Sequence, residues 1–300
     1  MRKLYKIAIG LVVLFTLFFL LCYEHYSVPE DARGTIFVIG DDAYAYNPSK
    51  DIRTEIPELG KHLQPAFQCK LSLDSFIVSS LNPLDSSKGL FGFYKVTPFG
   101  KTVTRIVKLR ERRYLKQSLD YNEQLDLFLF NGQLNSDEDG LYILDTGFNI
   151  IEDLSFIVNS LERPGSVENY YLLDSTTLLF NYFYREVRLY SLKDSTSKII
   201  AHGSLEAISH DRTKVVLSVG YGLQQINLLV DLKGGPDVKL PPINSAGFCF
   251  SPDDSYIACM HGTNDLSNTF ELHIYERSSH KMYKTKITGR GYLVWVNKEN

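Results

Sequence analysis

Two short stretches carry side chains whose types and spacing could do chemistry. In Asn135-Ser136-Asp137-Glu138-Asp139-Gly140, oxygen-bearing side chains fall at alternate positions ahead of a glycine, as at the start of a Ca²⁺-binding loop. Such a loop closes on a glutamate at its twelfth position. Here that position is Thr146 and the ninth is Ile143, so a polar turn carrying Asp137 and Asp139 is the better reading. The second stretch, KLRERRYLK at 108–116, has five basic residues and one acidic. Arg110, Arg112, Arg113 and Lys116 would serve an anionic partner, against the plainer alternative of a solvated connection.

The rest of the search is mostly negative. The sequence has no G-x-S-x-G elbow, no Walker A loop, no G-x-G-x-x-G and no H-E-x-x-H. VGYGLQ at 219–224 keeps two of three glycines, which a loop between strands explains. His202, His210, His261, His273 and His280 fall at no metal-ligand spacing. No catalytic residue, metal or cofactor follows from these residues. His261 and Asp265 belong to a polar stretch, 261–268, of the kind that serves as a binding loop.

What would position these groups is a repeat. An aromatic or apolar residue just before a polar turn recurs at Tyr46, Tyr94, Tyr142, Tyr190, Val230 and Tyr275. Each lies in text that reads strand, turn, strand, as in VRLYSLKDSTSKII at 187–200. A second recurring unit pairs FSPDDSYIAC at 250–259 with ISHDRTKVVL at 208–217 and YLLDSTTLLF at 171–180. Asp253, Asp211 and Asp174 are aligned in these copies, each in a turn that Asp and Ser side chains can stabilise from within. A period of 40–48 residues with four short strands per unit predicts an all-β fold, a β-propeller.

The count predicts six blades, over 66–109, 114–155, 167–201, 205–240, 246–288, and a split one. GYLVWV near the C-terminus supplies one strand of the split blade, and TIFVIGDD, AYAYN and DIRTEI near the N-terminus supply three. Closure of this kind removes exposed sheet edges. The propeller then spans residues 35–300.

FSPDDSYIA resembles the WD40-like repeat of the TolB-type propellers, whose usual box is Phe/Trp-Ser-Pro-Asp-Gly, with Asp254 here in the glycine position. The good match covers this one copy. TolB proteins also carry a separate α/β domain, for which this chain has no room. The resemblance implies a propeller of this general kind.

The N-terminus reads as a signal anchor over residues 1–22. Arg2, Lys3 and Lys6 precede sixteen uncharged residues, 7–22, and no small-residue cleavage pattern follows. Leu21 before Cys22 departs from a lipobox. The positive-inside rule places the N-terminus in the cytoplasm and the propeller in the periplasm or outside the cell, joined by a linker at 23–34. Of the remaining cysteines, Cys249 and Cys259 flank one turn. Centring that turn on Pro252-Asp253 sets Cys249 opposite Tyr256 and Cys259 out of register for a disulfide.

Net charge −3, with an acidic remainder beyond residue 34, argues against nucleic acid as a partner. Two functions are compatible with these features. One is a tethered scaffold that binds a protein or an anionic envelope component through loops on one face. The other is a hydrolase like the six-bladed lactonases, with a central metal. The expected innermost strands offer Glu206 alone for such a metal, which favours the scaffold.

Overall fold

The computed structural model describes residues 28–40, 43–56, 65–72, 75–81, 91–97, 102–108, 118–132, 140–159, 167–182, 186–220, 225–241, 245–262, 270–289 and 291–297. The predicted span at 7–22 lies outside them. Among the described residues no helix is long and apolar enough to cross a membrane.

The described chain forms six four-stranded antiparallel sheets. The first holds β4 (Pro65–Ser72), β5 (Ser75–Leu81), β6 (Phe91–Thr97) and β7 (Thr102–Lys108). The second holds β8 (Ser118–Asn122), β9 (Leu127–Gly132), β10 (Gly140–Leu144) and β11 (Ile150–Asp153), followed by one helical turn, α1 (Ser155–Asn159). The third is β12 (Val167–Asp174), β13 (Thr177–Tyr182), β14 (Glu186–Ser191) and β15 (Thr196–His202). The fourth is β16 (Ser204–Ile208), β17 (Lys214–Val219), β18 (Ile226–Asp231) and the two-residue β19 (Val238–Lys239). The fifth is β20 (Ser245–Phe250), β21 (Tyr256–Gly262), β22 (Phe270–Glu276) and β23 (Lys281–Gly289).

Those five sheets each use four consecutive strands. The sixth joins the two ends of the described chain, β24 (Tyr292–Val296) pairing with β1 (Thr35–Ile39), then β2 (Tyr44–Asn47) and β3 (Ile52–Glu55). Ile36 stands opposite Trp295 and Phe37 opposite Val294, so the expected strand exchange is present. Trp295 is fully buried and its Nε1 donates to the Arg33 carbonyl at 2.9 Å.

Apolar clusters fill the seams between sheets. Ile77 of the first meets Phe128 and Phe130 of the second. Leu129 and Leu141 meet Tyr170 and Leu172 of the third. Leu179 meets Leu217 of the fourth, and Val216 meets Ile257 and Tyr275 of the fifth. Ile274 and Met260 meet Tyr46 and Trp295 of the sixth, whose other face packs Phe37 and Val294 against Val96 of the first. A sheet flanked on both faces needs apolar side chains in both directions, which is why TIFVI in β1 is buried at every position. The fourth strands form the rim, and two of them, β3 (IRTE) and β11 (IIED), are exposed at every position. This is an all-β propeller.

The periodic anchors all fall on third strands, β2, β6, β10, β14, β18 and β22. The hydroxyl of Tyr46 donates to Asp51 at 3.0 Å, and that of Tyr275 lies 2.6 Å from His280 Nδ1. In each case the partner is five residues on and left-handed, with φ of 52° and 58°. Ser195 stands at the same offset from Tyr190 with φ of 57°. The repeat thus carries a turn in which the ring anchors the residue that reverses the chain.

Two expectations need correction. Cys249 pairs with Ala258, not Tyr256, and Cys259 with Phe248. The turn is longer than Pro252-Asp253: Ser251 pairs with Tyr256 across a loop in which Asp254 adopts φ of 57°, which moves the register by two residues. Both cysteines are free thiols on opposite faces of the sheet. The linker at 23–34 is also no free tether over its second half. Ala32 is fully buried in the seam between the fifth and sixth sheets, with Val28 packed against it. Asp31 accepts a hydrogen bond from the Tyr256 hydroxyl. Gly34, at φ of 93°, lies so close to the Val296 carbonyl that a Cβ would sit 2.2 Å from it.

Candidate functional site

The turns Ser209–Thr213 and Ser251–Ser255 join first to second strands of the fourth and fifth sheets. They are built alike. Each serine hydroxyl donates to the aspartate two residues on, Ser209 to Asp211 and Ser251 to Asp253, both at 2.6 Å. Each serine oxygen accepts the amide at the far end of the turn, Lys214 and Tyr256, both at 2.9 Å. Burial opposes ionisation of Asp211 and Asp253, but the serine hydroxyls, together with the amides and hydroxyls of Thr213 and Ser255, outweigh it and hold both carboxyls below the usual range. Asp174 and Asp194 use the same device, each accepting the amide and hydroxyl of the threonine two residues on.

The residue after each aspartate is left-handed and is not glycine: Arg212 at φ of 58°, Asp254 at 57°. Their side chains do different work. Asp254 accepts the amides of His210 and Asp211 at 2.8 and 2.9 Å, clasping the fifth sheet to the fourth. Burial pushes its carboxyl up, with those two amides pulling the other way. Arg212 reaches past the third sheet to the second. Its NH1 donates to both oxygens of Asp120, at 2.9 and 2.8 Å, and its NH2 to the Tyr121 carbonyl. Asp120 also accepts the Leu172 amide at 3.1 Å, so one ion pair ties three sheets. Both side chains are only 9% exposed. Burial pushes Asp120 up, opposed by the guanidinium.

Beside this clasp lies a cavity of ≈ 480 Å³ between the fourth and fifth sheets. Its floor is apolar: Leu229 and its cross-strand partner Val238, on the two-residue β19, line it with Tyr275. The rim carries Asp31, Asp253 and Glu276, and the Lys214–Asp231 ion pair at 2.6 Å. Asp31 and Glu276 raise the Tyr256 hydroxyl, after burial as the main cause, so this side of the rim is electronegative, while Arg277, bonded to the Asp254 carbonyl, lines the cavity as well. Glu276 takes neutral donors, Ser278 at 2.8 Å and Tyr283 at 2.9 Å. Among the described residues Asp31, Asp253 and Glu276 have no cation within ion-pair distance. Such a hollow can hold the alkyl stem of a basic side chain on its apolar floor and the charge at its rim.

Of the residues expected to bind a partner, Arg110, Arg112, Arg113, Lys116, Asp137, Asp139 and Asp265 lie outside the described residues. His261 is described and half-buried near the end of β21, its ring 4.9 Å from that of His273. It is at the opposite end of the fifth sheet from the cavity. Glu206, on β16, is mostly buried, and burial pushes its carboxyl up despite Ser218 and Ser204. Among the described residues no group of three His, Cys, Asp or Glu is placed to hold a metal ion. Sequence reasoning missed Asp120 and Arg212. The alignment of Arg212 with Asp254, in the glycine position of the repeat, was the available signal.

No protein-family profile matches the sequence, and no curated protein does either. Solved structures do. TolB from Acinetobacter baumannii superimposes with a TM-score of 0.64 at 13% identity, covering 90% of this chain and 68% of that one. A putative TolB from Agrobacterium tumefaciens gives 0.54 at 11% identity, covering 88% and 91%. A chain of a nidogen/laminin complex gives 0.53 at 8% identity, covering 87% and 95%. At these identities the likeness is one of fold, a TolB-like propeller.

Proposed function

We propose that this chain is a membrane-tethered, extracytoplasmic scaffold, a closed ring of six blades that binds another protein. The observation that carries the reading is the docked stretch 28–34. It enters the propeller on the face formed by the first-to-second strand turns, and its Asp31 is part of the cavity rim. If residues 7–22 span the membrane, only the five residues 23–27 separate span from docked stretch, a reach of at most about 18 Å. The cavity face is then held near the bilayer, and a partner using it is membrane-proximal.

The cavity suits a lysine or arginine side chain of that partner. The basic run at 108–116 suits an anionic envelope component. The nidogen/laminin neighbour is a propeller seen in a protein complex, which supports the general role.

The test is capture from native membranes with the full chain as bait. Ser278→Arg, at an exposed position, adds a cation at the rim and leaves Glu276 in place as the acceptor of the buried Tyr283. Loss of the captured protein with an unchanged melting temperature supports the cavity. Capture that survives this change but fails on reversing Arg110, Arg112 and Arg113 moves the site to that basic run. A C-terminal reporter active only in the cytoplasm should be silent, and activity would overturn the tether.

A further inference from the structure

At the end of the fifth sheet remote from the cavity, two imidazoles face each other. His261 on β21 and His273 on β22 have ring centroids 4.9 Å apart, inclined at 33°. His273 Nε2 is 3.3 Å from Glu271 Oε2, and Lys284 on β23 is 3.3 Å from the same oxygen. The side chains of His273 and Glu271 are 14% and 17% exposed. His261 Nδ1 is shielded from solvent and has no hydrogen-bond partner among the described residues. An unpaired ring nitrogen is tolerable in a neutral imidazole, where it can be the lone-pair nitrogen, and costly once both nitrogens carry protons.

The charge inventory around the pair is short. Its own sheet supplies Glu271 and Lys284, while Ser245, opposite His261, does not titrate. On the facing fourth sheet, strand alternation from Val216 and Leu229 brings Ser218 and Asn227 to the same side, and Glu206, bonded to Ser218 and Ser204, is the one described carboxyl there; burial pushes it up, so it gives up its charge rather than offering it as the pH falls. Glu271 is already shared between Lys284 and His273. It can offset one added proton. A second would meet an imidazolium and an ammonium with no other carboxylate of the described fifth sheet beside them. Burial works the same way, holding both histidines below their ordinary value.

We propose that the His261–His273 pair is an acid-sensitive latch: neutral, it closes the ends of β21 and β22, and protonated, it releases them. The rungs at stake are Met260–Leu272, His261–Glu271 and Gly262–Phe270. The release is local, because Tyr256 to Cys259 are buried under the cores on both sides. This proposal does not depend on the tether or on the cavity.

The test is hydrogen exchange of the full chain in detergent, corrected for intrinsic rates, between pH 7.5 and pH 5.0. Peptides covering 260–262 and 270–272 should lose protection about tenfold, the equivalent of one pKa unit of linkage. Those from β13 and β14 should not change. In His261→Gln with His273→Gln the pH dependence should vanish. Flat wild-type protection, or an equal loss in the double variant, would overturn the latch. If the double variant fails to fold, the wild-type comparison of the two regions still decides.

Discussion

The turns at Ser209–Thr213 and Ser251–Ser255 have the same serine, the same aspartate and the same left-handed fourth residue, yet they hold the molecule together in different ways. Asp254 spends its strained backbone on a neighbour's amides. Arg212 uses the same backbone to send a guanidinium two sheets away. A left-handed residue other than glycine costs about 1 kcal/mol. The difference teaches that a repeat position released from glycine becomes a place to build an inter-blade tie, with the side chain choosing the range.

Glycine at each position breaks the comparison most sharply. Arg212→Gly relieves the backbone but strands Asp120 as a buried, unpaired carboxylate. The expected loss is about 3–5 kcal/mol, read by chemical denaturation. Asp254→Gly relieves the same strain and removes two charge-assisted bonds whose donors lie nearer the surface, so the net loss should be about 2 kcal/mol. Equal losses would mean that the two ties are equivalent.

His210 and Pro252 occupy the same place in the two turns, and only His210 donates its amide across the seam. His210→Pro should therefore cost about 1–2 kcal/mol in spite of a stiffer turn. Pro252→Ala should cost only about 0.4–1 kcal/mol, through the freedom it restores to the unfolded chain. A stabilising His210→Pro would show that Asp254 has found other donors.

The smallest effect is one of slope. Asp253, held below its ordinary value, adds stability that is present above the unfolded carboxylate pKa and lost as pH falls through the lowered folded value. Asp254, pushed up, contributes the reverse, favouring the fold below the unfolded pKa and losing that contribution as pH rises through the raised folded value. Melting curves from pH 6 to pH 3 should fall less steeply in Asp253→Asn and more steeply in Asp254→Asn. The opposite order would assign the wrong environments to the two neighbours.

Much of this protein follows from its sequence because its information is local and repeated. The anchors from Tyr46 to Tyr275 locate every third strand. Asp174, Asp211 and Asp253 locate the turns, because an aspartate that bonds the backbone two residues on needs no distant partner. The strand exchange between Trp295 and Ile36 is legible because three strands without a first and a first without a continuation can only complete each other. What the tertiary structure alone decided is everything that joins residues of different repeats. Arg212 and Asp120 are 92 positions apart, and no spacing rule links them. The cavity sets Leu229 and Val238 of the fourth sheet beside Tyr275 of the fifth, residues that no spacing in the sequence brings together. Stacking of His261 on His273 depends on a register, and a bulge of one residue reverses which face a strand side chain occupies.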